Sequence, residues 1–325
     1  MINSKYPRSF QGLSLIGAAL LSGCQGGILD PKGQIASDEK SLIITATLLM
    51  LLVVIPVIVL TLVFAWKYRA GNQGATYTPK WAHSIKIEII VWLIPCIIVA
   101  FLAMLTWNST HRLDPYRPLD SAKKPITIEV VSLNWKWLFI YPEQNIATVN
   151  QIAFPTNVPV NFRITSDSIM NSFFIPQLAG QIYTMAGMQT QLHLIANEPG
   201  TYQGFSSNYS GAGFSGMKFN AIALATPAEF DAWVKHARED SGKTLDTQAY
   251  DNLAKPSENN PVAFFSSVSP HMFDTVLNKY MTMPAGASPM APAEMDKTMQ
   301  KPAAATHIVP AGVDKTMHMP MVVKE

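Results

Sequence analysis

A loop rich in Gly and Ser, residues 204–219, lies between two strand-like runs of the sequence. Loops of this kind, positioned by a rigid β scaffold, often carry binding sites. Three of its residues, Ser206, Ser210 and Phe214, are spaced four apart, and Met217 follows three positions later. Proteins bind copper through thiolate, thioether and imidazole groups. Since Met217 is the one member of this series that carries such a donor, the loop predicts no copper site.

The spacing of these residues resembles the copper loop of subunit II of the haem-copper respiratory oxidases. The pattern of that family is Cys-x-Glu-x-Cys-x-x-x-His-x-x-Met. The resemblance places Ser206 and Ser210 at the two bridging cysteines, Asn208 at the glutamate and Phe214 at the histidine. Only the methionine is retained, as Met217.

The other histidine of that family lies in an Asp-x-x-His-Ser-Phe-x-x-Pro segment. Residues 167–176 resemble this segment, with Asn171 at the position of the histidine. A site that has lost both thiolates and both imidazoles cannot hold a binuclear copper centre. Within the superfamily the chain is therefore similar to the quinol oxidases of the cytochrome bo type, in which electrons come from membrane quinol and subunit II needs no copper relay.

Length and composition favour a membrane protein. The 325-residue chain is 48% hydrophobic and only 14% charged, with a formal net charge of +2. This balance is not typical of proteins that bind nucleic acid or acidic substrates. The two cysteines, Cys24 and Cys96, are not expected to pair, since Cys96 lies inside an apolar run.

Residues 1–23 are predicted to be a signal peptide. Lys5 and Arg8 make the first residues positive, and the apolar run that follows is shorter than the ~20 residues of a membrane-crossing helix. Residues 21–24, Leu-Ser-Gly-Cys, resemble the bacterial lipobox. The resemblance implies cleavage before Cys24 and a covalent diacylglyceryl and acyl lipid on that residue. Residues 24–41 would then form a lipidated periplasmic N-terminus.

Two uncharged apolar runs, residues 42–66 and 89–107, are each predicted to cross the membrane as a helix. The loop between them, residues 67–88, carries four basic residues and no acid before Glu88. The positive-inside rule therefore places this loop in the cytoplasm and both termini in the periplasm. The sequence predicts a two-helix hairpin in the bacterial inner membrane.

Beyond a polar connector, residues 108–124, the sequence alternates between apolar and polar residues with the period of β-strands. Several short strands within about 100 residues predict a Greek-key sandwich. The resemblance makes it a cupredoxin-like domain over residues 125–227, on the periplasmic side. Six candidate strands begin at Ile126, Leu138, Val158, Gln189, Pro199 and Asn220.

The C-terminal part returns to a helical period over residues 228–282. In quinol oxidases that this segment resembles, a helical extension lies over the periplasmic surface of the complex, which implies a role in assembly. Residues 283–325 are rich in Pro, Ala and Met, show no period and are predicted to be disordered. Within this tail, residues 318–321, His-Met-Pro-Met, offer donors that could hold cuprous ion, as the alternative to a solvated tail.

Other residues of the domain receive structural interpretations. The segment 135–139 resembles an aromatic segment that lies between docked cytochrome c and copper in copper-bearing relatives, and here it is expected to pack under the loop. His193 alternates with two leucines and is expected to point away from the core, as a solvated or interface side chain. Tyr183, Met185 and Met188 are expected in a loop between strands.

The charges of the domain are nearly balanced, so no acidic surface for a basic cytochrome c is expected. No spacing of Ser, His and Asp matches a nucleophile or zinc motif. The charged residues considered are Glu129, Glu143, Asp167, Glu198, Lys136, Arg163 and Lys218.

Glu88 is the candidate for proton chemistry. It lies at the cytoplasmic end of the second span, and an acid at the edge of a membrane is a functional candidate by default. In the family a glutamate at this point stands at the entrance of a proton pathway into subunit I, which implies that Glu88 loads protons. The alternative is an interfacial acid stabilised by the helix N-terminus, by ~0.3–1 kcal/mol.

The resemblance thus implies subunit II of a proton-translocating quinol oxidase that reduces oxygen to water. Subunit I would hold two haems, one copper ion and the ubiquinol site, and subunits III and IV would complete the complex. This chain would supply scaffold and anchorage in membrane lipid, with no metal and no cytochrome c partner. The alternatives are a copper-bearing cytochrome c oxidase subunit and a free-standing lipoprotein cupredoxin that binds a small ligand.

Overall fold

The computed structural model describes residues 27–281 except 73, 77 and 79. Two long helices come first, α1 over Gln34–Lys67 and α2 over Ile85–Arg112. Both are long and apolar enough to cross a membrane, and most of their apolar side chains are exposed. The ends of the two helices are joined by an ion pair of 2.9 Å between Arg112 Nη2 and Asp38 Oδ1.

A β-sandwich and a short C-terminal extension follow the helices. The extension contains three helices, α3 over Pro227–Ser241, α4 over Thr247–Ala254 and α5 over Met272–Asn278. The strands are β1 Ile126–Leu133, β2 Lys136–Tyr141, β3 Ile146–Val149, β4 Gln151–Pro155, β5 Val160–Ser166, β6 Asn171–Ile175, β7 Ala179–Thr184, β8 Thr190–Leu194, β9 Gly200–Ser206, β10 Lys218–Leu224, β11 Thr244–Leu245, β12 Ala263–Phe265 and β13 Ser267–Val268.

The sandwich consists of a six-stranded and a five-stranded sheet. Their strand orders are β12-β3-β2-β1-β5-β8 and β4-β10-β9-β6-β7. Two of the pairings are parallel, β1 with β5 and β4 with β10, so the chain crosses between the sheets rather than forming hairpins throughout. The extension contributes β12 to the six-stranded sheet, antiparallel to β3.

Strands β1 to β3 are buried on both faces. Alternate residues such as Val130, Trp137 and Phe139 face the core between the two sheets. Their neighbours, such as Val131 and Leu138, pack in a second cluster with residues of α4 and α5. The extension therefore covers the outer face of the sandwich, and this explains why every residue of β2 is buried although strict alternation would leave one face polar.

The fold class predicted from the sequence, two apolar helices followed by a cupredoxin-like sandwich and C-terminal helices, is confirmed. The helices extend beyond the predicted spans, since α1 begins at Gln34 and α2 ends at Arg112, inside the predicted connector. The predicted signal peptide, Cys24 and the tail 283–325 lie outside the described residues.

The structure differs from the expected placement at four residues. Tyr183 lies in β7 and not in a loop, whereas Met185 and Met188 follow the strand. His193 points away from the core as expected, but it is not solvated: it is only 7% exposed, because the connector after α2 covers that face of β8. Lys136 and Asp167, counted among the surface charges, are buried as well.

Candidate functional site

Strands β6 and β9 bring two of the six copper-ligand positions into contact. The two strands pair antiparallel with Phe173 opposite Ser206, so Asn171, at the first position of β6, lies beside the end of β9. The Ser206 hydroxyl donates a hydrogen bond of 3.0 Å to Asn171 Oδ1. The Asn171 amide in turn donates to the Ile169 carbonyl at 3.1 Å. Both side chains are buried and hydrogen-bonded to the protein.

The loop after β9 returns to the same place. The Ser206 amide donates to the Met217 carbonyl at 3.1 Å, and the Met217 amide donates to the Phe214 carbonyl at 3.1 Å. The carbonyl of Asn208 accepts a second bond of 3.3 Å from the Ser206 hydroxyl. Met217 is fully buried in the core. Ser206 therefore contacts, through side chain or backbone, Asn171, Asn208 and Met217.

Trp135 fixes the far side of the loop. Its indole Nε1 donates a hydrogen bond of 3.0 Å to the Ser210 carbonyl. The loop backbone passes so close to the ring that a Cβ on Gly213 would lie 2.5 Å from Trp135 Cγ. The Ser210 hydroxyl is buried and has no hydrogen-bond partner among the described residues. Trp135 packs under the loop, where the sequence places it.

The donor set at these positions does not fit copper. The groups that meet there are hydroxyl and amide oxygens, and Ser206 and Asn171 use theirs to bond each other. Copper prefers thiolate, thioether and imidazole ligands, and the buried thioether of Met217 alone cannot supply a binuclear centre. Within the part of the chain that the structure describes, no three His, Cys, Asp or Glu side chains group closely enough to hold a metal ion.

A buried carboxylate next to this site is the residue that sequence reasoning missed. Asp167 leads into β6, and its side chain is 1% exposed. It accepts hydrogen bonds from Tyr250 Oη at 2.8 Å, Tyr280 Oη at 2.5 Å and Lys279 Nζ at 2.8 Å. Burial raises the pKa of the Tyr250 hydroxyl, and its hydrogen bond to Asp167 raises this pKa further. The hydrogen bond to Asp167 raises the pKa of Lys279. All three donors belong to the extension, so Asp167 attaches it to the sandwich.

Lys136 makes a second attachment from β2. Its ammonium donates to the carbonyls of Leu253 and Lys255 at 2.7 and 2.8 Å and to Ser257 Oγ at 2.6 Å. These carbonyls end α4, where a helix has acceptors without intrahelical partners. Burial lowers the pKa of Lys136. The sequence signal for Lys136 was a single charge inside a strand-forming run, which is costly unless it is paired. Asp167 lies in a polar bend between β5 and β6 and carried no such signal.

Glu88 lies apart from this site, in the first turn of α2. Its amide donates the first intrahelical hydrogen bond, 2.9 Å to the Ser84 carbonyl. The side chain is exposed, and its carboxylate has no hydrogen-bond or ion-pair partner in the described part of the chain. A negative charge is favourable at this end of a helix. The carboxylate therefore lies at the surface of this chain, at the start of α2.

Two family models match the chain. The periplasmic domain of cytochrome c oxidase subunit II matches residues 141–223. This range contains all six copper-ligand positions, among them Asn171 and Ser206. The COX aromatic-rich motif matches residues 240–283, which include the residues that bind Asp167 and Lys136.

Similar proteins extend the match to most of the chain. Cytochrome bo(3) ubiquinol oxidase subunit 2 of Pseudomonas putida is 61% identical over 286 residues, 88% of this chain and 90% of the relative. This chain belongs to the quinol oxidase subunit 2 family. The protein of the same name from Pseudomonas aeruginosa is 63% identical over 82% of this chain and 80% of the relative. Ubiquinol oxidase subunit 2 of Acetobacter aceti is 56% identical over 82% of this chain and 86% of the relative.

The predicted family is confirmed, and the alternative of a cytochrome c oxidase subunit has less support. As a quinol oxidase subunit 2, the chain is a subunit of a haem-copper oxidase complex. It is an inner-membrane protein with a periplasmic domain. Its copper loop is retained as a packed, hydrogen-bonded structure without the thiolate and imidazole copper ligands.

Proposed function

We propose that this chain is the copper-free subunit 2 of a proton-translocating complex that oxidises two quinols to quinones and reduces one O2 to two waters. One observation carries the proposal: apart from the thioether of Met217, the side chains at the copper-ligand positions are hydroxyl, amide and phenyl groups, and Ser206 and Asn171 bond each other. A domain built this way cannot relay electrons from cytochrome c. Electrons would pass from quinol directly to subunit I.

The partners follow from this role. Subunit I would hold two haems, one copper ion and the ubiquinol site, and subunits III and IV would complete the complex. The named relatives are ubiquinol oxidase subunits, which supports ubiquinol as the substrate. The exposed apolar side chains of α1 and α2 would contact lipid and subunit I. This chain contributes anchorage and assembly rather than redox chemistry.

The membrane arrangement is part of the proposal. Residues 42–66 and 89–107 would span the bilayer, with the loop 67–88 in the cytoplasm. At 1.5 Å per residue, the 34 residues of α1 reach ~51 Å and the 28 residues of α2 ~42 Å. Both exceed the ~30 Å hydrocarbon core, so each helix would continue into the headgroup region. Lipid on Cys24 would add a further anchor to the two spans.

Glu88 would be the proton-entry group. Its exposed carboxylate at the start of α2 would take a proton from the cytoplasm and pass it towards subunit I, where oxygen reduction consumes it. The alternative, an acid that only stabilises the helix N-terminus, predicts a small effect on stability and none on turnover.

The copper-free assignment is tested by metal analysis and an optical spectrum of the purified complex and of the isolated domain, residues 125–283. We expect no copper bound to the domain and no visible absorption from it. Tight, stoichiometric copper with strong visible absorption would contradict the quinol oxidase assignment.

The role of Glu88 is tested by quinol oxidation in the assembled complex. Glu88→Ala should slow turnover at normal haem content, whereas Glu88→Asp should restore most of it, because a shorter carboxylate still exchanges protons with water. Lys86→Ala, a change of charge two residues away, is the matched control and should leave turnover unchanged. Equal turnover of wild type and Glu88→Ala across a range of pH would end the proton-entry proposal.

A further inference from the structure

A cavity of about 290 Å³ lies where the two long helices meet the sandwich. Its walls come from the first turns of α1, the end of α2 and the connector that follows, and the edge of the sandwich at β7 and β8. Apolar side chains such as Ile35, Leu119 and Leu192 form part of the lining. The cavity is near the lower end of the ~300–1,000 Å³ range of small-molecule sites.

The polar lining of the cavity contains both positively and negatively charged side chains. Arg112 and Arg117 are its cations, and Glu39 and Asp114 are its acids. Burial lowers the pKa of His193, so its imidazole adds no lasting positive charge. A site with two cations and two acids suits a zwitterion better than a simple anion. A simple anion would face the two carboxylates without a positive group to pair with them.

A turn in the connector holds Arg117 at the cavity. The Arg117 amide donates to the Asp114 carbonyl at 3.0 Å, and the Asp114 carboxylate accepts from the Tyr116 amide at 2.9 Å. Arg112 is fixed in the same region by its ion pair with Asp38. The turn therefore fixes the backbone at Arg117 and the ion pair restrains Arg112, while both arginine side chains remain exposed at the mouth of the cavity.

The height of the cavity relative to the membrane follows from the helices. Glu39 lies three residues before the predicted span 42–66, and Arg112 lies five residues after the predicted span 89–107. At 1.5 Å per residue these residues stand ~4–8 Å above the hydrocarbon core. The headgroup region on each side of a bilayer is ~5–8 Å thick. The cavity therefore lies at the depth of phospholipid headgroups.

We propose that this cavity binds the headgroup of a zwitterionic phospholipid of the periplasmic leaflet, with the phosphate towards Arg112 and Arg117 and the ammonium towards Glu39. The cavity is large enough for a headgroup and too small for two acyl chains, which stay in the bilayer beside α1 and α2. The apolar lining contacts the glycerol end of the lipid. The proposal rests on the membrane arrangement proposed above.

The experiment uses the purified oxidase complex in vesicles of equal parts phosphatidylethanolamine and phosphatidylglycerol, followed by native mass spectrometry of the lipid it retains. The wild type should retain one phosphatidylethanolamine per complex. In the double variant Arg112→Gln/Arg117→Gln, the fraction of complexes that retain this lipid should fall at least tenfold. Lys123→Gln, a cation of the same connector outside the cavity, is the matched control and should retain the lipid. Glu39→Gln should shift the retained lipid towards phosphatidylglycerol.

Two further arms keep the result decisive. If the double variant fails to assemble because the pair of Arg112 with Asp38 is lost, Leu119→Trp fills the cavity at unchanged charge and should also lose the lipid. Retention of the lipid by Leu119→Trp, equal retention by all variants, or binding of added inorganic phosphate without lipid would overturn the proposal. Haem content and quinol oxidation are measured on the same preparations, so a failed oxidase assignment would appear separately from a failed lipid site.

Discussion

Replacing Asp167 with Asn should destabilise the fragment 125–283 by about 3 kcal/mol. Both clusters of buried side chains lie within residues 126–281, so the fragment is expected to fold alone. Asp167 is the point at which three side chains of the extension meet one carboxylate. Asn has nearly the same shape, so the change removes charge and one acceptor without opening a cavity.

The magnitude follows from burial and from the partners. Removing one member of a buried ion pair costs about 3–5 kcal/mol, because the other charge is left without compensation. The Asp167 side chain is 1% exposed, whereas the Lys279 side chain is 53% exposed and can be hydrated again. The expected cost of Asp167→Asn is therefore near the lower end of this range. The new amide Nδ2 also cannot accept from the Lys279 ammonium, which donates to both carboxylate oxygens, so one of these hydrogen bonds is lost.

The assay is urea unfolding of the fragment followed by tryptophan fluorescence, with amide hydrogen exchange to localise the effect. Hydrogen exchange should increase most in residues 247–281, because the Asp167 carboxylate joins this segment to the sandwich. Asp274→Asn is the matched control, because this carboxylate also joins the extension to the sheet but its side chain is 45% exposed and lies 3.4 Å from Arg163. The control should cost less than about 1 kcal/mol.

The pH dependence supplies an independent check. The pKa values of Lys279, Tyr250 and Tyr280 are raised in the folded state, so all three hold their protons more tightly there than in the unfolded chain. Their contribution is complete below the unfolded values near ~10 and is lost as the pH rises through the folded values. Stability should fall above about pH 10, and less steeply in Asp167→Asn. A loss below about 0.5 kcal/mol at neutral pH would refute the reasoning.

The remaining predictions concern the loop and the N-terminus. Restoring the copper ligands should produce a coloured copper complex in the fragment 125–283, and a colourless but folded variant would show that the loop has changed shape. Gly213→Ala should lower stability by about 1–3 kcal/mol in thermal unfolding, because its Cβ would lie 2.5 Å from Trp135 Cγ, whereas Ser215→Ala on the exposed neighbour should not. Mass spectrometry of the mature protein should find an acylated N-terminus at Cys24, and retained residues 1–23 would contradict it. The copper-restoring substitutions are Asn171→His, Ser206→Cys, Asn208→Glu, Ser210→Cys and Phe214→His.

The sequence predicts those strands in which apolar and polar residues alternate. β1 and β8 show clear alternation and lie where the pattern predicts them. β3 and β4 are short and are separated by Asn150, whose positive φ of 57° makes a tight turn that alternation does not reveal. Tyr183 was missed as a strand residue because β7 begins with Ala179 and Gly180, which carry no apolar pattern.

Burial of polar residues could not be predicted from neighbours in sequence. The carbonyls that satisfy Lys136 lie more than 115 residues away, and the tyrosines that bind Asp167 lie 83 and 113 residues away. His193 points off the core as alternation indicates, but its burial depends on the connector after α2. The positions of the copper loop were found because their spacing is itself local.

The backbone before α1 is hydrogen-bonded to the sandwich. The amides of Lys32 and Gly33 donate to the Gln177 carbonyl at 2.7 and 3.0 Å, and a Cβ on Gly33 would lie 2.4 Å from the Leu178 carbonyl. The helix starts at the next residue, so its angular phase is set by the periplasmic domain. One residue inserted between Gly33 and Leu42 would rotate every side chain of the span by ~100° about the helix axis and turn a different face towards the rest of the complex.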